Sequence, residues 1–168
     1  MRRAILPVLA ATVLVPAASS LAQDQDQGPP ARKPGWWEMQ LVISGPTAEP
    51  IRQTRRVCTD AAFDKVDSPL GVNMSGAGCQ PKVARTAAGW SAGGTCDTGQ
   101  MKITANAVAT GDFNDRYHVD IDVRMDPPPQ PQVAVVKIGL DAHWIGQCPA
   151  GKKPGDTDAP PAAPAAGN

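Results

Sequence analysis

Strict two-residue alternation of apolar and polar side chains is the feature that most constrains this chain. Because successive side chains of a strand point to opposite faces, such alternation predicts half-buried β-strands. In the clearest run the apolar members are Tyr117, Val119, Ile121, Val123 and Met125. Shorter or less regular runs of the same kind lie at residues 37–43, 51–58, 79–85, 90–96, 100–110 and 134–144.

Turn residues separate these runs, which predicts an all-β fold, mainly an antiparallel meander of about seven strands. One short helix is expected at residues 61–66, where Thr59 or Asp60 can cap it. No amphipathic helix is long enough to cover the apolar face of the sheet. We therefore expect a curled sheet or half-barrel in preference to a sandwich.

Several apolar residues of the later strands are small, which leaves either a tightly packed core or a slot for a ligand inside the curled sheet. They are Ala105, Ala107, Ala134 and Ala142.

The two ends of the chain differ from the middle in composition. Two arginines, an apolar run and the small residues of Ser20-Leu21-Ala22 predict a signal peptide over residues 1–22, cleaved after Ala22. The apolar run is shorter than the ~20 residues that span a bilayer, so no membrane span is expected. Polar residues 23–33 and the Pro/Ala-rich residues 150–168 are predicted to be disordered, which leaves a single β domain at 34–149.

The charge of the chain disfavours partners that are recognised mainly by their negative charge. The chain has 16 basic and 16 acidic side chains, and loss of Arg2 and Arg3 with the signal peptide would leave a net charge of about −2. No basic cluster is present in the sequence. Electrostatic binding of nucleic acid or of anionic lipid is therefore not expected.

Four cysteines indicate covalent support for this small domain: Cys58, Cys79, Cys96 and Cys148. In an exported chain an even number of widely spaced cysteines predicts disulfides, here two. Three connectivities are possible. We favour Cys58–Cys79, which closes a local loop, with Cys96–Cys148 tying the last strand to the middle of the domain.

Tryptophans give the best hint of a contact surface. Trp36 and Trp37 are adjacent on a predicted strand, so they point to opposite faces and one of them should lie outside the core or at a rim. There it could hold a ligand or a partner, and Trp90 is a further candidate.

Two patterns raise the question of chemistry. His118, Asp120 and Asp122 share one strand face and could bind a divalent metal, with Asp141 and His143 on the last strand as neighbours. A solvated polar face explains the same pattern, so no metal site is assigned.

The second pattern is the sequence Gly-Trp-Ser-Ala-Gly around Ser91, which fits the nucleophile elbow of hydrolases. That turn joins a strand to a helix, whereas Ser91 is followed by another strand pattern.

Three landmarks in this order resemble one family. They are Lys33-Pro34-Gly35-Trp36-Trp37-Glu38 at the start, Cys58, Cys79, Trp90 and Cys96 in the middle, and Trp144-Ile145-Gly146-Gln147-Cys148-Pro149 at the end. Together they resemble the domain of unknown function 3617 family, small exported bacterial proteins. The resemblance implies a periplasmic location and a β-rich fold, and it implies no activity.

These observations favour a non-enzymatic periplasmic or secreted binding or accessory protein, with no cofactor, whose apolar sheet interior or rim could take a small apolar ligand. The alternative is a structural protein that meets another protein of the cell envelope. A hydrolase or a metal-binding protein is the weaker interpretation. The sequence leaves the oligomeric state open.

Overall fold

The computed structural model describes residues 31–72, 76 and 78–158, and these form seven antiparallel strands in one open sheet. The all-β prediction is confirmed. The strands are β1 Gly35–Ser44, β2 Ile51–Thr59, β3 Cys79–Thr86, β4 Gly89–Asp97, β5 Lys102–Gly111, β6 Arg116–Asp126 and β7 Val135–Gly146. The predicted signal peptide, most of the predicted linker and residues 159–168 lie outside the described residues.

The strand order β2-β1-β7-β6-β5-β4-β3 departs from a simple meander at one place. Each strand pairs with the strand that follows it in the chain, except that β2 and β3 do not pair. In addition, the first strand, β1, pairs with the last, β7. The long connection at residues 60–78 therefore joins the two edges of the sheet. Because β2 and β3 do not pair, the sheet is neither a closed barrel nor a sandwich.

The predicted alternation of buried and exposed residues is clearest in β5, β6 and β7, whereas β3 is exposed along nearly its whole length. On β6, Tyr117, Val119 and Ile121 are buried while Asp120 and Asp122 between and beyond them are exposed. We call the face that carries the buried residues the inner face. The best-buried members of its apolar cluster are Trp37, Val57, Leu70, Ala107, Ala109 and Val119.

The turn between β5 and β6 is fixed by Asp112. Its carboxylate accepts N–H bonds from Asn114 and Asp115, both at 2.8 Å, and these backbone bonds lower the pKa of Asp112. Phe113 adopts a positive φ of 57° in this turn. Its ring consequently enters the core, where it stacks on Tyr117 with 4.6 Å between ring centroids.

The predicted helix at residues 61–66 is wrong in extent. At this place the structure has one 3₁₀ turn, Phe63–Lys65, and a second 3₁₀ turn, Pro131–Val133, precedes β7. Asp60 does act at the start of the first turn, since its Oδ1 accepts the N–H groups of Ala62 at 3.0 Å and Phe63 at 2.7 Å. The sequence that follows toward β3 lacks the apolar stripe that would stabilise a longer amphipathic helix.

The favoured disulfide pairing is wrong. The bonds are Cys58–Cys148 and Cys79–Cys96, and no free cysteine remains in the described chain. Register explains both bonds. Cys79 lies directly opposite Cys96 in the β3–β4 pair, with 4.0 Å between the Cα atoms. Cys58 cannot reach Cys79 because β2 and β3 are opposite edges of the sheet.

The folded domain extends beyond both predicted boundaries. Arg32, placed in the predicted linker, is 1% exposed. Residues 150–158, placed in the predicted disordered tail, run along β2. There Cys58 N–H donates to Asp156 O at 2.9 Å, and Thr157 forms a bridge with Val57. The Cys58–Cys148 bond holds this C-terminal segment next to the strand that it covers.

Candidate functional site

The inner face carries one continuous row of apolar side chains that crosses all seven strands. Register partners from β2 through β1, β7, β6, β5, β4 and β3 define it. We call it the apolar row, and its members are Ile51, Ile43, Ile138, Ile121, Ala107, Ala92 and Val83.

The apolar row is buried in its middle and open toward the sheet edges. Ile121 is 5% exposed, whereas Ile51 and Val83 at the two ends are 39% and 42% exposed. Ile43 and Ile138 are half-buried. The inner face continues from here with Val123, Ile103 and Met125, which are also half-buried. We call this half of the inner face, from the apolar row to Met125, the open end.

The other half, the closed end, is covered by three segments outside the strands. Leu70 from the connection after β2 and Phe113 from the β5–β6 turn both enter the core cluster. Residues 31–34 form the third cover, since Lys33 N–H donates to Phe113 O at 2.8 Å. Trp37 is fully buried beneath them, and its Nε1 donates to Lys33 O at 2.8 Å.

Arg32 ties these covering segments together. Its guanidinium binds Asp64 through Nε at 2.9 Å and through Nη2 at 2.7 Å, with both side chains buried. Nη1 donates to the hydroxyl of Tyr117 at 3.4 Å. Burial raises the pKa of Tyr117 despite the opposing effect of Arg32, so the phenol is neutral near pH 7. The charge of Arg32 is thus matched by Asp64 within the core.

A cavity of about 130 Å³ lies where the closed end meets the open end. Apolar side chains form its floor: Met39, Leu41, Ile121, Ile138 and Leu140. Arg55, Asp67 and Ser68 add polar groups to its wall. Ligand sites in proteins commonly combine an apolar surface with a few polar groups in this way.

Arg55 is the unusual residue of this cavity. It pairs in register with Met39, so its side chain shares the inner face. Its Nε is the one buried side-chain N or O atom of the described residues that lacks a hydrogen-bond partner. An unsatisfied buried donor costs about 1–3 kcal/mol.

The outer face carries an imidazole held between two carboxylates. His118 Nδ1 lies 2.7 Å from Asp141 Oδ1, and its Nε2 lies 3.2 Å from Asp120 Oδ1. The hydrogen bond that Asp141 accepts from His118, aided by the one to Asp120, raises the pKa of His118 above its ordinary value. His143 lies nearby on β7, with its Nε2 3.7 Å from Glu38 Oε1.

Around these groups lies a shallow cleft of about 620 Å³, lined by residues that include Gln40, Arg116, His118, Asp141, His143 and Trp144. The ring of Trp144 is already occupied, since Lys33 Nζ lies 3.5 Å from its centroid. The carboxylates here already bind imidazole or guanidinium groups. This cleft therefore has few free polar groups aimed at a ligand.

The two adjacent tryptophans point to opposite faces, and the one outside the core cluster is largely covered. Trp37 lies in the core, and Trp36, on the other face, is 7% exposed beside the Cys58–Cys148 bond. The C-terminal segment covers this region, with Lys152 Nζ 6.0 Å from the Trp36 ring. Trp90 is 8% exposed on the inner face, and Arg85 lies 5.7 Å from its ring.

The predicted metal candidates do not converge. Within the described part of the chain, no three His, Cys, Asp or Glu residues are arranged to hold a metal ion. The reason is that Asp120 and Asp141 occupy opposite nitrogens of His118. Asp122 instead faces Lys137, at 3.6 Å.

Ser91 lies in the middle of β4, and its hydroxyl donates to Ala84 O at 3.4 Å. This is a strand position on the outer face, without the strand-to-helix turn that a nucleophile elbow requires.

The inner-face polar residues Arg32 and Arg55 were not predicted from the sequence as candidate site residues. Arg55 stands two positions before the buried Val57, so the parity of β2 places it inward. Nothing local identifies Arg32, because its partner Asp64 is distant in sequence.

Two kinds of observation bear on the cellular location of the protein, its disulfides and the character of its helices. Two disulfides are typical of a protein that folds in an oxidising compartment. Across the described ranges, no helix has the length and apolar character needed to cross a membrane.

Comparison with known proteins gives one result. No curated protein and no solved structure matches the chain. One family profile, described as a protein of unknown function (DUF3617), matches residues 32–148, a range that begins at the buried Arg32 and ends at the disulfide-bonded Cys148. The chain belongs to the DUF3617 family.

Proposed function

We propose that this protein is a non-enzymatic binding module of the bacterial periplasm, and that the open end of its inner face takes the apolar part of a small ligand. The observation that carries the proposal is the apolar row, which spans the sheet yet is only partly buried at Ile43 and Ile138 and is exposed at Ile51 and Val83. A core would normally bury such side chains, and an exposed apolar surface commonly marks a binding site.

The energy available from this surface suits a small aliphatic ligand. Burial of one methylene group contributes about 0.8 kcal/mol. A ten-carbon chain covered on one side would then gain roughly 4 kcal/mol, before the cost of immobilising it. Polar contacts must add to this for tight binding, and the cavity beside the apolar row supplies polar groups at Arg55 and Ser68.

The arrangement of reactive side chains supports binding rather than catalysis. The hydroxyl of Ser91 is used by a backbone carbonyl. Both ring nitrogens of His118 contact carboxylates, which favours the protonated imidazole and disfavours its use as a general base. The predicted signal peptide over residues 1–22 and the two disulfides support the periplasmic location.

Fluorescence of an apolar probe tests this function. N-phenyl-1-naphthylamine should bind the purified protein saturably and brighten. Ile138→Gln places an amide on the open end and should weaken probe binding at least tenfold, about 1.4 kcal/mol. The matched control is Val108→Gln, since Val108 is 49% exposed on the outer face. Absence of saturable binding, or equal loss in both variants, would reject the proposal.

A second candidate function is a contact with another envelope protein through the edge strand β3. All residues of β3 after Cys79 are exposed, and Val83 is an apolar side chain at this edge. An open edge offers unpaired backbone groups to an incoming strand, although Pro81 removes one donor. Site-specific crosslinking from Val83 in whole cells would give a discrete adduct under this alternative and none under the first proposal.

A further inference from the structure

The cavity at the boundary of the open end holds an arginine that no group of the described chain satisfies. Arg55 Nε is buried without a hydrogen-bond partner, and Arg55 forms no ion pair with any residue that the structure describes. Its neighbours on the cavity floor are apolar. A buried N–H of a charged group in such surroundings calls for an acceptor.

Ser68 supplies a second donor at the same cavity. Its Oγ accepts the N–H of Leu70 at 3.3 Å, which leaves the hydroxyl hydrogen available to donate. An oxygen acceptor in the cavity could therefore receive bonds from both Ser68 and Arg55.

The charged groups around this cavity differ in whether they are paired. Arg32 and Asp64 neutralise each other, and Asp67 is directed toward Arg32, with 3.7 Å between Oδ2 and Nη2. Arg55 is the charged group of the cavity lining that forms no ion pair among the described residues, and an anion could pair with it.

The size of the cavity limits the anion. Its volume of about 130 Å³ has room for a small head group such as a carboxylate. A carboxylate also brings one negative charge close to Asp67, whereas a phosphate monoester brings roughly −1.5 to −2. The remaining carbons of a ligand would leave the cavity over Ile138, which lines the cavity and belongs to the apolar row.

We propose that the ligand is an aliphatic carboxylate, with its carboxylate bound by Arg55 and Ser68 and its hydrocarbon chain lying along the apolar row. This inference rests on the proposed function, since it names the class of the apolar ligand. Guanidinium–carboxylate bonds are charge-assisted, so the acid should be preferred over an alcohol of equal chain length.

Competition for the bound naphthylamine probe tests the inference, with dodecanoate and dodecanol as competitors. For the wild-type protein, dodecanoate should displace the probe at a concentration at least tenfold below that of dodecanol. Arg55→Met should abolish this preference, because the carboxylate of dodecanoate then loses its guanidinium partner. The matched control is Arg52→Met on the same strand, because Arg52 pairs with Val42 on the outer face. That variant should retain the tenfold preference.

The outcomes separate the two proposals. Equal displacement by acid and alcohol in the wild type would overturn the carboxylate inference and leave the apolar site standing. An equal loss of preference in Arg52→Met and Arg55→Met would also overturn it, by showing that general positive charge is responsible. Failure of the probe itself to bind would remove both proposals. The wild-type comparison decides the inference even where a variant does not fold.

Discussion

The two ends of the inner face are formed by the same strands but differ in what covers them. At the closed end, Trp37 and Tyr117 lie beneath residues 31–34 and the connection after β2. At the open end, Ile43 and Ile138 have the same alternation but stay half-buried. The strands supply an apolar face along their whole length, and the segments outside the strands determine which half is sealed. The sealed half stabilises the fold, and the other half is the ligand site that we propose.

Each end also has its own disulfide, and their removal should have different effects. Replacing Cys58 and Cys148 by alanine should cost about 4–5 kcal/mol of unfolding free energy, because these cysteines are 90 residues apart. Replacing Cys79 and Cys96, 17 residues apart, should cost about 3 kcal/mol. Urea denaturation of both double variants checks the order. Equal losses would show that the C-terminal segment adds no constraint.

Removing the Arg32–Asp64 ion pair should loosen the segments that cover the closed end. Arg32→Ala leaves Asp64 buried without its partner and should cost about 3–5 kcal/mol, measured by urea denaturation. Arg116→Ala is the control, since the Arg116 side chain is 81% exposed and should change stability by less than about 0.5 kcal/mol. A loss below about 1 kcal/mol for Arg32→Ala would contradict the claim that Arg32 holds the covering segments together.

Truncation of one aliphatic residue at each end tests the comparison most simply. Leu140→Ala removes a side chain that is 3% exposed and should cost about 3 kcal/mol. Ile43→Ala removes a half-buried side chain and should cost roughly 1 kcal/mol, because part of its surface already meets water. Thermal and chemical denaturation give both values. Similar losses would mean that the open end is packed as tightly as the closed end.

The smallest effect on stability is expected for His118 and its carboxylate partners on the outer face. The raised pKa of His118 means that its bonds to Asp141 and Asp120 stabilise the fold below the ordinary pKa of histidine, and that this stability is lost as pH rises through the folded-state pKa. The His118 side chain is 40% exposed, so screening limits the effect to a few tenths of a kcal/mol. An NMR titration should show that Asp141→Asn lowers the pKa of His118. No change in that variant would contradict the assigned cause.

Local pattern predicted the strands and their faces but not their long-range partners. Alternation placed Tyr117 and Val119 inward correctly, because the period of a strand is a property of the backbone. The pairing of Cys58 with Cys148 depends on β1 lying between β2 and β7, which no local pattern records. A preference for the short loop closure therefore gave the wrong bond.

The candidate site was only partly predictable for the same reason. The sequence indicated small inward residues such as Ala105 and Ala107, and both are buried. It did not indicate that the C-terminal segment would cover Trp36, or that Arg32 would be buried against Asp64. Those contacts join segments far apart in sequence, and polar composition alone made both segments look unstructured.

The most direct test of the central claim is native mass spectrometry of the protein purified without denaturant from the compartment in which it folds. The account predicts a reproducible extra mass that is lost on denaturation and is reduced in Ile138→Gln but not in Val108→Gln. A bare chain, unchanged after incubation with dodecanoate and carrying both disulfides, would contradict the claim that the open end is a ligand site.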